Sequence, residues 1–289
     1  MTHEDGTLHE PHVAAVLGSP IAHSLSPALH RAAYAELGLA QWRYERHEVD
    51  EESLPGFLKT FPDRAGDARP AGFSLTMPLK RAVIPLLDEV GDAAAAVEAV
   101  NTVTYGPGLC ARGDNTDIPG MVAALAERGV RSVGSAAVLG AGATASSALA
   151  ALSGVCGGRV TAYVRSEARA AEMRQWGERL GVDVHTAPWE RAAEAFGAEL
   201  VIATTPAGAA DALAGSVPPG PCTLFDVLYE PWPTPLAAAW YAAGGQVVSG
   251  LDLLVHQAAL QVELMTGLPE APVAAMRAAG ERALAERSA

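Results

Sequence analysis

Residues 138–145 read VLGAGATA, with Gly140, Gly142 and Ala145 in the spacing G-x-G-x-x-A. In such a turn the first glycine makes the bend and the second lets backbone N–H groups approach a pyrophosphate. The small third residue lets the following helix pack against its strand. Glycine-rich turns are common in an alanine-rich chain, so the spacing alone says little, and its setting says more. SAAVLG (135–140) reads as a strand, the run from Ala143 as a helix, and RVTAYVR (159–165) as the next strand, the order a dinucleotide site requires. The expectation is a nucleotide-binding unit on a parallel sheet, with Gly140, Ala141, Gly142, Ala143 and Thr144 around the phosphates.

The end of the next strand selects the cofactor. An acid there would take the ribose hydroxyls of NAD, whereas a cation would take the 2′-phosphate of NADP. The chain reads Val164-Arg165-Ser166, so Arg165 stands where the acid would be, and Arg169 lies one helical turn on. Glu167 keeps a second reading open: it could face the ribose, or it could be an ordinary acid in a helix's first turn. The balance favours NADP(H).

Working outward, strands are expected over 183–187, 200–206 and 222–229, with a helix over 234–244 and, after QVVSG (246–250), two more helices over 251–266 and about 271–287. Before the glycine turn the alternation is similar. HVAAVLG (12–18) reads as a buried strand, and a helix follows with Ser26 as cap, Pro27 at its first position and Gly38 as stop. Strand 43–49, helix 51–61 and strand 71–76 come next, the last ended by Pro78, which has no ladder donor. A helix from about Lys80 and a β-like segment, AVNTVTY (99–105), complete this half. GPGLCARGDNTDIPG (106–120) reads as a turn-rich crossing into the second unit, with a helix from Pro119 to Arg128. Strands alternating with helices predict an α/β protein with parallel sheets and right-handed crossovers.

Composition narrows the function classes. The 289 residues suit one large or two moderate domains, and a formal charge of −13 argues against the clustered positive surface of a nucleic-acid binder. Three widely spaced cysteines without C-x-x-C fit a reducing cytoplasm, with neither a disulfide framework nor a zinc site. His3, His9 and His12 read as part of a polar tail, so no metal is expected, and the tail has no signal-peptide core. The uncharged stretch 134–158 is long enough to raise a membrane span, but its Gly, Ala and Ser content argues for strand, turn and buried helix.

Three polar features are candidates for chemistry. Of 20 basic residues only Lys59 and Lys80 are lysines, and a lysine, unlike an arginine, can be tuned to exchange its proton. Ser24 and Ser26, two apart beside a helix N-terminus, suit a carboxylate. Asn115, Thr116 and Asp117 stand at the domain crossing, where small molecules bind, although an Asx-rich turn would explain them equally well. Farther on, Leu253, Gln257, Leu260 and Leu264 fall on one helical stripe, and a glutamine in that stripe needs a partner.

In order along the chain stand GSPIAHSLSP (18–27), TMPLK (76–80), AVNT (99–102), GDNTD (113–117), GAGATA (140–145), FDVLYEPWPTPL (225–236) and GLDLLVHQAA (250–259). With these the chain resembles the shikimate dehydrogenase family from about Val13 to Gly267. That resemblance implies NADPH-dependent reduction of 3-dehydroshikimate in the cytoplasm, on the route through chorismate to the aromatic amino acids. It implies a substrate-binding α/β domain over 12–115, completed by helices 251–289 that pack back on it, and a Rossmann-type doubly wound domain over 116–250. Ser24 and Ser26 would hold the substrate carboxylate with Tyr229 nearby, and Ser74, Thr76, Asn101, Asp117 and Gln257 the ring hydroxyls. Lys80 and Asp117 would be the catalytic pair. Residues 140–144 and Val164, Arg165, Ser166 and Arg169 would bind the cofactor, with Val227 and Gly250 beside the nicotinamide.

The chain departs from the family pattern twice: Ser74-Leu75-Thr76 replaces the usual Asn-Val-Thr, and Val164 replaces the usual Asn. A quinate or aminoshikimate dehydrogenase and a catalytically silent NADP-binding relative are the rivals. A homodimer is the partner state considered, and neither nucleic acid nor membrane is expected.

Overall fold

In the computed structural model, which describes residues 10–288, the chain opens with β1 (His12–Gly18), α1 (Ser26–Glu36), β2 (Trp42–Glu48), α2 (Leu54–Arg64) and β3 (Arg69–Leu75). One-turn α3 (Leu79–Ala82), β4 (Glu89–Val90), α4 (Asp92–Val97), β5 (Thr102–Tyr105) and β6 (Ala111–Asp114) follow. The strands form one sheet in the order β2-β1-β3-β5-β6-β4. Central β1 is a continuous apolar run because both its faces are covered. Phe57, Phe61 and Phe73 interlock in its core, with ring centroids of Phe61 and Phe73 4.6 Å apart.

This sheet corrects the expectation of parallel pairing throughout. β1 runs parallel to β2 and β3, but β5 is antiparallel to both β3 and β6. Residues 106–110 are too few for the crossover that a parallel β5–β6 pair would need. β6 itself lies in the stretch read as turn, and β4 and α4 were not foreseen. Gly113 within β6 is required by packing, since a Cβ there would sit 2.4 Å from Leu87 Cδ1.

From Asp117 a second set begins: α5 (Asp117–Glu127), β7 (Ala136–Leu139), α6 (Ala143–Val155), β8 (Val160–Val164), α7 (Glu167–Leu180) and β9 (Val184–Pro188). It continues with β10 (Leu200–Ala203), β11 (Thr223–Asp226), α8 (Pro235–Ala242) and β12 (Gln246–Val248). α5 starts before Pro119, which its first turn tolerates. All six strands are parallel, in the order β12-β11-β10-β7-β8-β9. The order reverses between β7 and β10, the switch point where such sheets bind ligands at their carboxyl ends.

The chain closes with α9 (Gly250–Thr266) and α10 (Val273–Ser288), and α10 packs on α1. Residues up to Thr116 with those from Val255 onward make one unit, and Asp117–Leu254 the other. The stripe expected on α9 is corrected at its end: Leu264 is 47% exposed, while Gln261 is 1% exposed. Among the described residues no helix is long and apolar enough to cross a membrane.

Candidate active site

In the first unit, the turn from β1 to α1 carries Ser24 and Ser26. Leu25, not Ser26, occupies the cap position, and Ser24 Oγ accepts the Ser26 N–H at 3.3 Å. The capping expected of Ser26 is thus done by Ser24, because Ser26 has already entered the helix. Arg46 fastens this turn by donating to the carbonyls of Ala22 and Ser24. His30 and Tyr44 are buried and stacked with centroids 3.9 Å apart. His30 Nδ1 lies 2.9 Å from the Ser26 carbonyl, so Nδ1 carries the proton. Burial pushes the His30 pKa down to about 4, and it raises that of Tyr44, an effect opposed by hydrogen bonds with Ser74 and Ser26.

The hydroxyl of Tyr44 donates to Ser74 Oγ at 2.6 Å, and Ser74 Oγ donates to Gln261 Oε1 at 2.7 Å. Gln261 Nε2 donates to the Asn101 carbonyl at 3.2 Å and to Thr102 Oγ1 at 3.0 Å. Asn101 Nδ2 reaches Thr116 Oγ1 at 3.0 Å and Gln257 Oε1 at 3.4 Å, while its Oδ1 accepts the Thr116 N–H at 2.8 Å. Asn115 donates to the Ala99 carbonyl at 2.8 Å. The first unit therefore brings Ser74, Asn101, Thr116 and Gln257 into one buried network, with Ser26 reaching it through Tyr44.

Beside the network, Gly18 lets the TMPLK element lie against β1: a Cβ there would be 2.4 Å from Thr76 Cγ2 and 2.9 Å from the Met77 carbonyl oxygen. Lys80 is half-buried on α3, where its carbonyl accepts the Val100 N–H at 2.8 Å. Buried Asp117 opens the second unit directly after Thr116, and half-buried Tyr229 belongs to that unit as well.

The glycine turn of the second unit has the form its spacing predicts. Gly140 has φ of +113°, and a Cβ there would be 2.7 Å from Thr204 Oγ1. Gly142 begins α6 with no side-chain cap and with open space where a Cβ would point. Ala145 is buried in the core, and the Ser146 and Ser147 hydroxyls bond the Ala143 carbonyl, away from the N–H groups of the first turn. This cradle fits a pyrophosphate.

Val164 turns into the core, which leaves only its backbone to meet a ligand. Exposed Arg165 lies over the ring of Trp189. Ser166 caps α7 by accepting the Arg169 N–H at 3.4 Å, and the Arg169 guanidinium pairs with Glu172. Glu167 pairs with Arg174, so the carboxylate that kept NAD open has a cation of its own.

At Gly250 a Cβ would be 2.2 Å from the Val227 carbonyl oxygen and 2.5 Å from that of Leu228, a backbone approach open only to glycine. Asp226 ties down both ends of this loop by accepting the Leu228 N–H at 3.1 Å and the Thr234 hydroxyl at 2.6 Å. Burial pushes its carboxyl pKa up.

Sequence reasoning missed Tyr44, Gln261, Trp189 and Asp226. Only Gln261 carried a signal, as a second glutamine four residues after Gln257 on a buried helix face. Among the described residues no group of His, Cys, Asp and Glu is arranged to hold a metal, and His3 and His9 lie outside those residues.

An open glycine cradle at the switch point of a parallel sheet, with a cation beyond the next strand, has the make-up of a nicotinamide-nucleotide oxidoreductase, and the buried polar network lies in the other, first unit. A family model for the shikimate dehydrogenase substrate binding domain matches residues 16–103, and one for the shikimate 5′-dehydrogenase C-terminal domain matches residues 250–279. The NADP-dependent shikimate dehydrogenase of Oleidesulfovibrio alaskensis is 38% identical over 280 residues, 93% of this chain and 95% of its own. The crystal structure of the Mycobacterium tuberculosis shikimate dehydrogenase matches with a TM-score of 0.84 at 41% identity, covering 94% of this chain and 100% of that one. That of the Thermus thermophilus enzyme in complex with NADP(H) and shikimate matches with a TM-score of 0.80 at 35% identity, again over 94% and 100%. The chain belongs to the shikimate dehydrogenase family.

Proposed function

We infer that this protein is an oxidoreductase that reduces 3-dehydroshikimate reversibly to shikimate with NADPH, in the pathway to chorismate and the aromatic amino acids. Identity to NADP-dependent shikimate dehydrogenases across nearly the whole chain carries this reading. The buried run of Ser74, Asn101, Thr116, Gln257 and Gln261 supports it, because so dense a set of donors and acceptors suits a polyhydroxylated acid.

In this reading Ser24 and Ser26, with Tyr229, hold the carboxylate, and Ser74, Thr76, Asn101, Asp117 and Gln257 take the hydroxyls. Residues 140–144 and the segment from Val164 to Arg169 hold NADPH, which supplies the hydride when bound, and Val227 and Gly250 flank its nicotinamide. Lys80 gives the developing alkoxide a proton, and Asp117 orients the ammonium and accepts a substrate hydroxyl. An arginine could stabilise the charge but could not pass the proton. The domain roles follow: residues 12–115 with 251–289 bind substrate, and residues 116–250 bind NADP(H).

Steady-state assays of 3-dehydroshikimate, quinate and aminoshikimate against both cofactors test the reading. The expected result is NADPH-linked turnover of 3-dehydroshikimate well above every other pair. Dominant NAD-linked quinate oxidation would replace it, and no turnover of any pair would make the protein a silent NADP binder. A cytoplasmic location belongs to the same proposal, supported by three unpaired cysteines. So does a homodimer, which sedimentation velocity would test.

A further inference from the structure

β8 and β9 end in register, with Val164 opposite Pro188. The residues that follow the two strands are Arg165 and Trp189, side by side at the carboxyl edge of the parallel sheet. The guanidinium carbon lies 5.1 Å from the indole centroid, within the range of about 6 Å for a cation–π contact. The indole also packs against the core cluster that contains Ala137, Tyr163 and Phe196, which limits its own movement. Arg165 is exposed and, among the described residues, has no carboxylate in ion-pair range. Its neighbours in sequence differ: Arg169 pairs with Glu172, Arg174 with Glu167 and Arg191 with Glu194.

An arginine without a partner at a surface samples many rotamers, and ordering it on ligand arrival costs affinity. Guanidinium stacks well on an aromatic face and keeps its edge donors free. We propose that Trp189 is a specificity-determining residue for the cofactor, its indole face holding the Arg165 guanidinium ready for the 2′-phosphate of NADP(H). The proposal rests on the reading that Arg165 takes that phosphate. Trp189 acts through Arg165 and is therefore a positioning residue. A held cation does little for a ribose hydroxyl, so NAD binding should not depend on it.

Calorimetric titration of NADP⁺ and NAD⁺ into the wild type, Arg165→Ala, Trp189→Leu, Trp189→Phe and the Arg165→Ala/Trp189→Leu double variant tests the pair. Leucine keeps apolar packing without a π face, and phenylalanine keeps both, so the contrast isolates the ring; matched melting temperatures show that each variant is folded. Arg165→Ala should weaken NADP⁺ about ten- to a hundredfold. Trp189→Leu should weaken it about two- to fivefold, the size of an exposed cation–π contact, with NAD⁺ changed less than twofold. Trp189→Phe should retain most of the NADP⁺ affinity, and Trp189→Leu should add nothing in the Arg165→Ala background. A wild-type NADP⁺/NAD⁺ ratio in Trp189→Leu, equal losses for both cofactors, or an undiminished loss without Arg165 would each overturn the proposal. If Arg165→Ala itself leaves the ratio intact, the 2′-phosphate reading has failed, and the role of Trp189 falls with it.

Discussion

Acid should loosen the first unit through His30. The ring is fully buried, stacked on Tyr44, and fixed by the Ser26 carbonyl as a neutral Nδ1–H tautomer. Folding depresses its pKa from 6.5 to about 4, so the unfolded chain binds the proton more tightly. The stability held by neutral His30 is therefore complete above about pH 6.5 and is lost as pH falls toward 4. Between pH 7 and pH 5 linkage removes about 2 kcal/mol. The figure depends little on the native value, because at pH 5 the folded ring is still mostly neutral. His30→Gln keeps a neutral amide at every pH and should escape this loss, whatever it costs at pH 7. Urea unfolding of both proteins at pH 7 and pH 5 reads the difference, and the ring carbon shifts of His30 read the pKa directly. Equal losses in the two proteins, or a folded His30 that titrates near 6.5, would refute the reasoning. Because Ser26 sits on the same ring, KM for shikimate should also rise below pH 5.

Lys80→Ala should lower kcat by roughly 10²- to 10⁴-fold with a smaller change in KM, and Lys80→Arg should fail nearly as badly; an arginine variant that keeps most of its turnover would reduce Lys80 to an electrostatic clamp. Ser24→Ala should raise KM for shikimate more than it lowers kcat, since a carboxylate contact is made equally in ground and transition states. Wild-type kcat/KM for shikimate should exceed that for quinate at least about tenfold, because quinate's extra hydroxyl would be left unpaired beside the serines at roughly 1–3 kcal/mol; comparable values would favour the quinate alternative. Gly250→Ala drives a Cβ into two carbonyl oxygens and should destabilise the protein by about 1–3 kcal/mol, lowering its melting temperature by several degrees in calorimetry, whereas an unchanged melting point would mean that the loop yields freely.

The parallel unit was readable in the sequence because its strands are apolar runs and its turn needs glycines at fixed positions. Gly140, with positive φ and Thr204 against it, shows why that signal is strong. The first sheet was read less well. β6 is four residues of Ala, Arg, Gly and Asp, a poor strand by propensity, and it forms because β5 and β4 supply partners on either side. Ser26 looked like a cap because position and residue type agree, but the backbone enters the helix one residue early. Of the candidate site, the residues set in motifs were legible. Tyr44 and Trp189 were not, because an aromatic within β2 and another just past β9 are ordinary until the residues that meet them in the fold, His30 and Ser74 for the one and Arg165 for the other, are known.

The Asn101 carbonyl can only accept, so the Gln261 nitrogen must face it and the Gln261 oxygen must face Ser74. Ser74 is thereby obliged to give its one proton to Gln261, and it already takes another from Tyr44. What remains to it is a lone pair. Any ligand atom that meets Ser74 has to bring its own hydrogen: an alcohol is welcome, while a ketone or carboxylate oxygen at that place would face a like-charged surface with nothing to share. The serine that replaces the family's asparagine thus gives up a donor that the amide would have offered. A ligand oxygen placed against Ser74 would be told apart by whether it still carries hydrogen.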